Sequence, residues 1–261
     1  MSNDATYEVF AIKYAERDAR RPEHFLGGDA HDVPMPMDYF VWAIVGGSQT
    51  WVVDTGFGAD DADRRGRRLL RTASDALEVV GVVAAESPNV ILTHLHYDHV
   101  GGFDQFPNAR FHLQDREMAF ATGRSMARST FSHAFTARHV AEMVVAVHDQ
   151  RVEFHDGDAE LAPGLSVHLI GGHTDGLQCV RVNTAGGTLV LASDATHYYE
   201  NMEAVRPFPI VFDVDAMIAG YDRLRSLAGA DGVIVPGHDP LVFDRHRPAD
   251  PALSGVAVRL G

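Results

Sequence analysis

Residues 93–99, Thr-His-Leu-His-Tyr-Asp-His, set three imidazoles and one carboxylate within six positions, directly after an apolar strand and before Val100-Gly101-Gly102. In extended backbone, residues two apart project to the same side, so His94 and His96 can grip one ion together. If the chain then turns, Asp98 and His99 can face a neighbouring ion, and Gly101 and Gly102 permit the tight path. Imidazole and carboxylate are ligand types for Zn²⁺ and similar first-row ions, and a centre kept open for catalysis has fewer protein ligands than a closed structural one. Four ligands in one loop do not complete two sites. Three further candidates each follow an apolar strand: His173 in Gly171-Gly172-His173-Thr174, Asp194 in Ser193-Asp194-Ala195, and His238 in Pro236-Gly237-His238-Asp239. Two ions sharing a water lower its pKa toward neutrality and make a nucleophile without serine or cysteine, for which a carbonyl is the natural target.

The elements that must position these residues begin as sheet. Tyr7–Tyr14, Tyr39–Val45 and Thr50–Val53 are β-rich, the latter two flanking Gly46-Gly47-Ser48 as a hairpin would. Helical spacing follows over Ala59–Leu70 and Ser74–Val80, then a strand at Asn89–Thr93 leads into the histidine loop. Ala109–Leu113 reads as strand, Asp115–Thr122 and Ser132–His148 as helices, so that about 115–148 looks like an inserted helical cap. From Val152 the β character resumes through Glu160–Ala162, Leu165–Ile170, Cys179–Asn183 and Thr188–Ser193, with turns at Pro163-Gly164 and Ala185-Gly186-Gly187; a helix at Val214–Leu227 and a strand at Gly232–Val235 close the pattern. Two blocks that each run strands first and helices later predict an α/β (α+β) chain built as a four-layer αββα sandwich, with residues 1–261 forming one domain.

The gapless His-x-His-x-Asp-His at 94–99 resembles the signature of the metallo-β-lactamase superfamily. The resemblance implies His94, His96 and His173 around a first ion, Asp98, His99 and His238 around a second, and Asp194 bridging both. The ions would be two divalent metals per chain, zinc first, with Mn, Fe or Co as alternatives. Asp54-Thr55-Gly56 is similar to the family's early Asp-Thr-Gly, whose aspartate orients ligands from behind; a plain turn role fits Asp54 as well. Within the superfamily the chain looks most like the quorum-quenching N-acyl homoserine lactonases. That implies a hydrolase opening a lactone or related cyclic ester by attack of a hydroxide bridging the ions, with Asp98 beside the reacting atoms. Such lactonases commonly carry a tyrosine three residues after the bridging aspartate; here that position is His197, followed by Tyr198 and Tyr199. His197 is therefore the expected donor to the substrate oxygen, and Tyr198 takes that role if the loop shifts. Asp175 is a second departure, standing where Gly-His-Thr-Pro-Gly is common.

Met118, Phe120, Met126, Phe131, Phe135 and Met143 carry the spacing of a helix core, the alternative being the lining of an apolar substrate pocket. Asn201–Val211 is a candidate wall, and Arg206 within it is read as a substrate contact or a surface ion pair. His24, His31, His112, His133, His139, His148, His155, His168 and His246 fall in no motif and are read as ordinary hydrogen-bonded or surface residues.

Composition narrows the partners. The single cysteine, Cys179, excludes an intramolecular disulfide and a four-cysteine zinc site. With 22 Lys+Arg against 36 Asp+Glu, the net charge of −14 opposes a nucleic-acid surface. No signal-like N-terminus or apolar run of about 18 residues is present, which predicts a cytoplasmic protein without membrane contact, acting on a small-molecule lactone or ester, with a homodimer as one assembly. Alternatives on the same fold are a thioester hydrolase resembling glyoxalase II, a β-lactamase, a phosphodiesterase, a mono-iron sulfur dioxygenase and a metal-holding binding protein without turnover; retention of Asp98, His99 and His238 favours two ions over one.

Overall fold

The computed structural model describes residues 5–46 and 49–261, so Gly47 and Ser48 of the expected hairpin turn lie outside the described residues. In chain order the strands are β1 (Glu8–Arg17), β2 (Met37–Gly46), β3 (Gln49–Val53), β4 (Arg68–Leu69), β5 (Asn89–Ile91), β6 (Arg110–Gln114) and β7 (Val152–His155). There follow β8 (Ala159–Ala162), β9 (Leu165–Leu169), β10 (Gln178–Thr184), β11 (Gly187–Ser193), β12 (Val233–Pro236), β13 (Arg247–Pro248) and β14 (Ala257–Arg259). One sheet runs β13-β14-β1-β2-β3-β5-β6-β7 with β4 on β1, and the other runs β12-β11-β10-β9-β8.

Strands apolar on both faces need a layer on both sides. In β2, Met37, Tyr39, Val41 and Ala43 face one core, where helices Ala73–Glu78, Asp115–Ala121 and Ala137–His148 pack. The alternate Phe40, Trp42 and Ile44 meet Val180, Val182, Leu189 and Leu191 of the second sheet. The outer face of that sheet, with Cys179, Val190 and Ala192, is covered by Met217, Tyr221 and Leu224 of helix Val214–Ala228. Helix, sheet, sheet and helix thus stack as the sequence order predicts. Among the described residues no helix is long and apolar enough to cross a membrane.

Two helix assignments differ. The helix expected over Ala59–Leu70 ends at Arg65, because Gly66 takes a left-handed φ of 63° and caps it; Arg68–Leu69 then pairs with β1. The helix expected over Ser132–His148 is divided into Ser129–Ser132 and Ala137–His148. Between them the Ala134 carbonyl accepts the Tyr97 N–H at 2.9 Å and Phe135 packs edge-on to the His96 ring, so tertiary contacts outweigh helical spacing.

β3 runs parallel to β5 and β11 parallel to β12, so each pair ends on one edge. There Asp54 and Ser193 adopt φ of 60° and 47°, left-handed conformations that cost a non-glycine residue on the order of 1 kcal/mol or more and here aim Asp54 and its neighbours inward.

Candidate metal centre

The histidine loop leaves β5 extended and enters a helical turn at Tyr97–Val100, which carries Asp98 and His99 and leaves the His99 ring 4.0 Å from that of His94. His96 Nδ1 lies 3.0 Å from His94 Nε2 and 2.9 Å from His173 Nε2. Burial holds the pKa of His94 and His96 well below that of free imidazole, so both rings are neutral, as ligands must be.

Asp194 is divided between two groups. Its Oδ2 faces His173 Nε2 at 3.2 Å, His197 Nε2 at 3.1 Å and His94 Nε2 at 3.7 Å. Its Oδ1 faces His238 Nε2 at 3.0 Å and His99 Nε2 at 3.4 Å, and both of these rings lie 3.7 Å from Asp98 Oδ2. Ligand atoms of His94, His96, His173 and Asp194 fall within 4.8 Å of one another, as do those of Asp98, His99 and His238 and those of Asp194, His197 and His238. Buried Asp194 Oδ1 and His99 Nε2 have no well-aligned hydrogen-bond partner among the described residues. Burying such atoms unpaired is costly, and divalent cations among these donors would satisfy them. The donor set fits metal ions.

A second ring of groups orients the donors. His173 Nδ1–H donates to the Ile210 carbonyl at 2.7 Å and His238 Nδ1–H to the Asp38 carbonyl at 2.9 Å, fixing Nε2 inward. Buried Asp54 accepts the Thr93 N–H at 2.7 Å and Oγ–H at 2.8 Å and faces His99 Nδ1 at 2.7 Å. Burial works against a charged His99, but Asp194, Asp54 and Asp98 outweigh it and raise its pKa well above that of free imidazole, so a cation held at His99 Nε2 would take the place of a proton there. Glu117 was not legible from sequence. Fully buried at the start of helix Asp115–Ala121, it accepts from Leu95 N at 2.9 Å, Thr174 Oγ1 at 2.6 Å and Gly176 N at 3.1 Å, tying the histidine loop to the His173 loop. A Cβ at residue 176 would collide with the Glu117 backbone, so only glycine fits this crossing. A buried acid in an amphipathic helix is the only sequence signal, and surface acids give the same one.

The two candidate donors are placed differently. The His197 ring is buried and stacked on Phe208 at 3.6 Å, and burial pushes its pKa down to about 3 against the pull of Asp194. Tyr198 hydrogen-bonds away from the centre: its hydroxyl donates to the Pro36 carbonyl at 3.0 Å and lies 3.1 Å from His24 Nε2. Asp175 pairs with Arg116, pointing off the site. Arg206 pairs with Asp29 at 2.8 Å and stacks on Phe25, so it is an ion pair outside the cavity wall.

A small cavity of about 80 Å³ opens over the donors. Phe208 and Ile210 form one side, as expected of the Asn201–Val211 stretch, and Tyr39, Arg17, Arg65 and Arg67 belong to the lining that sequence did not suggest. His133, read as an ordinary residue, also lines it. Phe120 and Met143 lie instead in the helix core, and Met126 lines a separate surface cavity with Phe135.

A family model described as the metallo-beta-lactamase superfamily matches residues 35–238. An N-acyl homoserine lactonase of Bacillus thuringiensis is 27% identical over 165 residues, 62% of this chain and 60% of that protein. The chain thus spans about 60% of the length of the curated lactonases it matches first. A solved quorum-quenching N-acyl homoserine lactone lactonase superposes with a TM-score of 0.78 at 20% identity, over 93% of this chain and 96% of that one. A solved N-acyl homoserine lactone hydrolase, holding its product N-hexanoyl-L-homoserine at its catalytic metal centre, gives 0.76 at 20% identity over 93% and 97%.

Proposed function

The chain belongs to the metallo-β-lactamase superfamily, and from that premise we propose that it is a metal-dependent hydrolase that opens lactones or related cyclic esters. The observation that carries this reading is the divided Asp194 carboxylate, with one oxygen toward His94, His173 and His197 and the other toward His99 and His238. His94, His96 and His173 would hold one divalent ion, Asp98, His99 and His238 a second, and Asp194 both, zinc being the first candidate. Ions held there supply Lewis acidity and a water of near-neutral pKa.

The chain's own residues supply position and polarity. Asp54 and Glu117 fix the loops that carry the donors, so little reorganisation accompanies reaction. His197, kept neutral by burial, carries a single N–H, on the Nε2 that faces Asp194 Oδ2 at 3.1 Å; with Asp194 serving cations, that N–H is assigned the hydrogen bond to the substrate oxygen as charge develops. Asp98, beside the same cavity, receives the proton released as water adds to the carbonyl and returns it to the ring oxygen when the C–O bond breaks, leaving a carboxylic acid and a free hydroxyl. The 115–148 segment supports the centre through Glu117 on its first helix and Phe135 between two later ones. The product-bound relative makes acyl homoserine lactones the first substrates to try.

Metal analysis of the purified protein, followed by a screen of lactones, thioesters, β-lactams and phosphodiesters after restoring Zn, Co, Mn or Fe, tests the reading. Two ions per chain and acid release from lactones are expected. Lactones untouched at two bound ions would overturn it; a single iron would point to the dioxygenase chemistry instead.

A further inference from the structure

A chain with net charge −14 lines one cavity with three guanidiniums, those of Arg17, Arg65 and Arg67. Their engagements differ. Arg65 is committed to structure: Nη1 donates to the His133 carbonyl at 2.8 Å, Nη2 to the Phe135 carbonyl at 3.2 Å, and the group lies over the Tyr97 ring at 3.9 Å. Arg17 has one partner, the half-exposed Glu23 at 3.1 Å, while its buried Nε is unpaired among the described residues. Arg67 donates from Nε to the Tyr97 hydroxyl at 3.0 Å and from Nη1 to the Arg65 carbonyl at 2.7 Å. Both acceptors are neutral, no described carboxylate lies within ion-pair distance of Arg67, and its side chain is half-buried at the cavity.

A guanidinium held by two neutral acceptors keeps a charge and part of its planar fork uncommitted. The cavity's carboxylates, Asp98 and Asp194, do not neutralise it once they serve cations, because two divalent ions carry more positive charge than two carboxylates carry negative. A neutral acyl chain needs no such wall; apolar lining would serve it better. An anionic group at that wall meets an oriented donor in a low-dielectric, positively biased cleft.

Resting on the hydrolase reading above, we propose that Arg67, supported by Arg17, selects substrates that carry a second group, an anion with carboxylate-like or phosphate-like oxygens, on the side away from the bond that is cleaved. The substrate class is thus an acidic lactone or ester. Its second group engages the arginine wall while its scissile carbonyl faces the Asp194 centre.

The test uses the metal-loaded protein and matched lactones whose side chain ends in a free carboxylate, its methyl ester or a phosphate, over several chain lengths. The wild type should favour an anionic form over the methyl ester in kcat/KM by about tenfold or more, with the preference residing in KM. In Arg67→Met that ratio should collapse toward one, and Arg67→Lys should restore part of it. A residue that merely braces Tyr97 would lower acid and ester alike and leave the ratio intact, which would overturn the proposal. Equal use of acid and ester by the wild type would do the same. Arg110→Met, a remote exposed site paired with Glu153, should keep the wild-type ratio. Calorimetric titration with glutarate and butyrate gives a readout without turnover: glutarate should bind about tenfold more tightly, and Arg67→Met should erase the difference. If no lactone is cleaved but this Arg67-dependent preference persists, the lactone reading fails and the anion site stands. Lactone turnover with no anion preference removes the anion site alone.

Discussion

Among the described residues, two clusters of facing buried imidazoles stand apart from the lone His24 and His139, and only one has the make-up of a chemical site. At the strand ends, each of His99, His173 and His238 has one ring nitrogen anchored by an oxygen acceptor and the other turned toward Asp194. At the β7 edge of the larger sheet, His112 of β6 and His155 of β7 stack at 5.4 Å, with Nδ1 of one 3.2 Å from Nε2 of the other, beside the Trp51 ring. No described carboxylate lies within ion-pair distance of this second pair. Burial, against the pull of Glu153, lowers the pKa of both, and with His155 and Arg110 beside it brings His112 to about 4. Burying histidines is therefore not what makes a centre. Shared carboxylates and an oriented second nitrogen are.

The strongest challenge to that contrast is Asp194→Asn, which keeps shape and removes the shared charge. Turnover should fall about a thousandfold and metal content drop below two per chain, with a small change in melting temperature. Normal turnover with two ions retained would break the comparison. Glu117→Gln touches no donor atom but weakens the brace between two donor loops; calorimetry should show metal affinity reduced about 10- to 100-fold. Unchanged affinity would mean the loops hold themselves.

The His112–His155 pair should reveal itself only in acid. A folded pKa of about 4 for His112 against 6.5 when free means that the unfolded chain takes up the proton first. Its contribution is complete above about pH 6.5, is lost as pH falls toward 4, and totals at most about 3 kcal/mol. Urea unfolding at pH 7.5 and 4.5 should show this loss, and His112→Phe should be less acid-sensitive than wild type. An identical acid slope in the variant would remove His112 from the account. The smallest effect belongs to Tyr198→Phe. Its hydroxyl serves Pro36 and not the cavity, so stability should fall by about 1 kcal/mol and kcat/KM by less than about threefold. A hundredfold loss would return Tyr198 to the reaction.

The strand-end group was legible because its signal is local: four donors in six residues, three more directly after apolar strands, and sheets whose alternation shows in the sequence. What lay hidden was set by distant contacts. Helix spacing through residue 136 gave no sign that Ala134 would take the Tyr97 amide. Glu117 has the look of a solvated first-turn acid until the loops at 95 and 174–176 close on it. Arg67 becomes a wall residue only because Gly66 ends its helix and β4 returns to β1. Tyr39 reads as core, and it is core on all sides but the one toward His238.

The left-handed backbone at Asp54 and Ser193 sets two demands on the chain in opposition. Glycine at residue 193 would relax the main chain, but it would also remove the Ser193 hydroxyl that meets Thr93 Oγ at 2.9 Å and loosen the joint that aims Asp194. The strained conformation is thus tied through Thr93 to Asp54 on the other sheet, so that the two sheets hold one another in register at the edge where the donors gather.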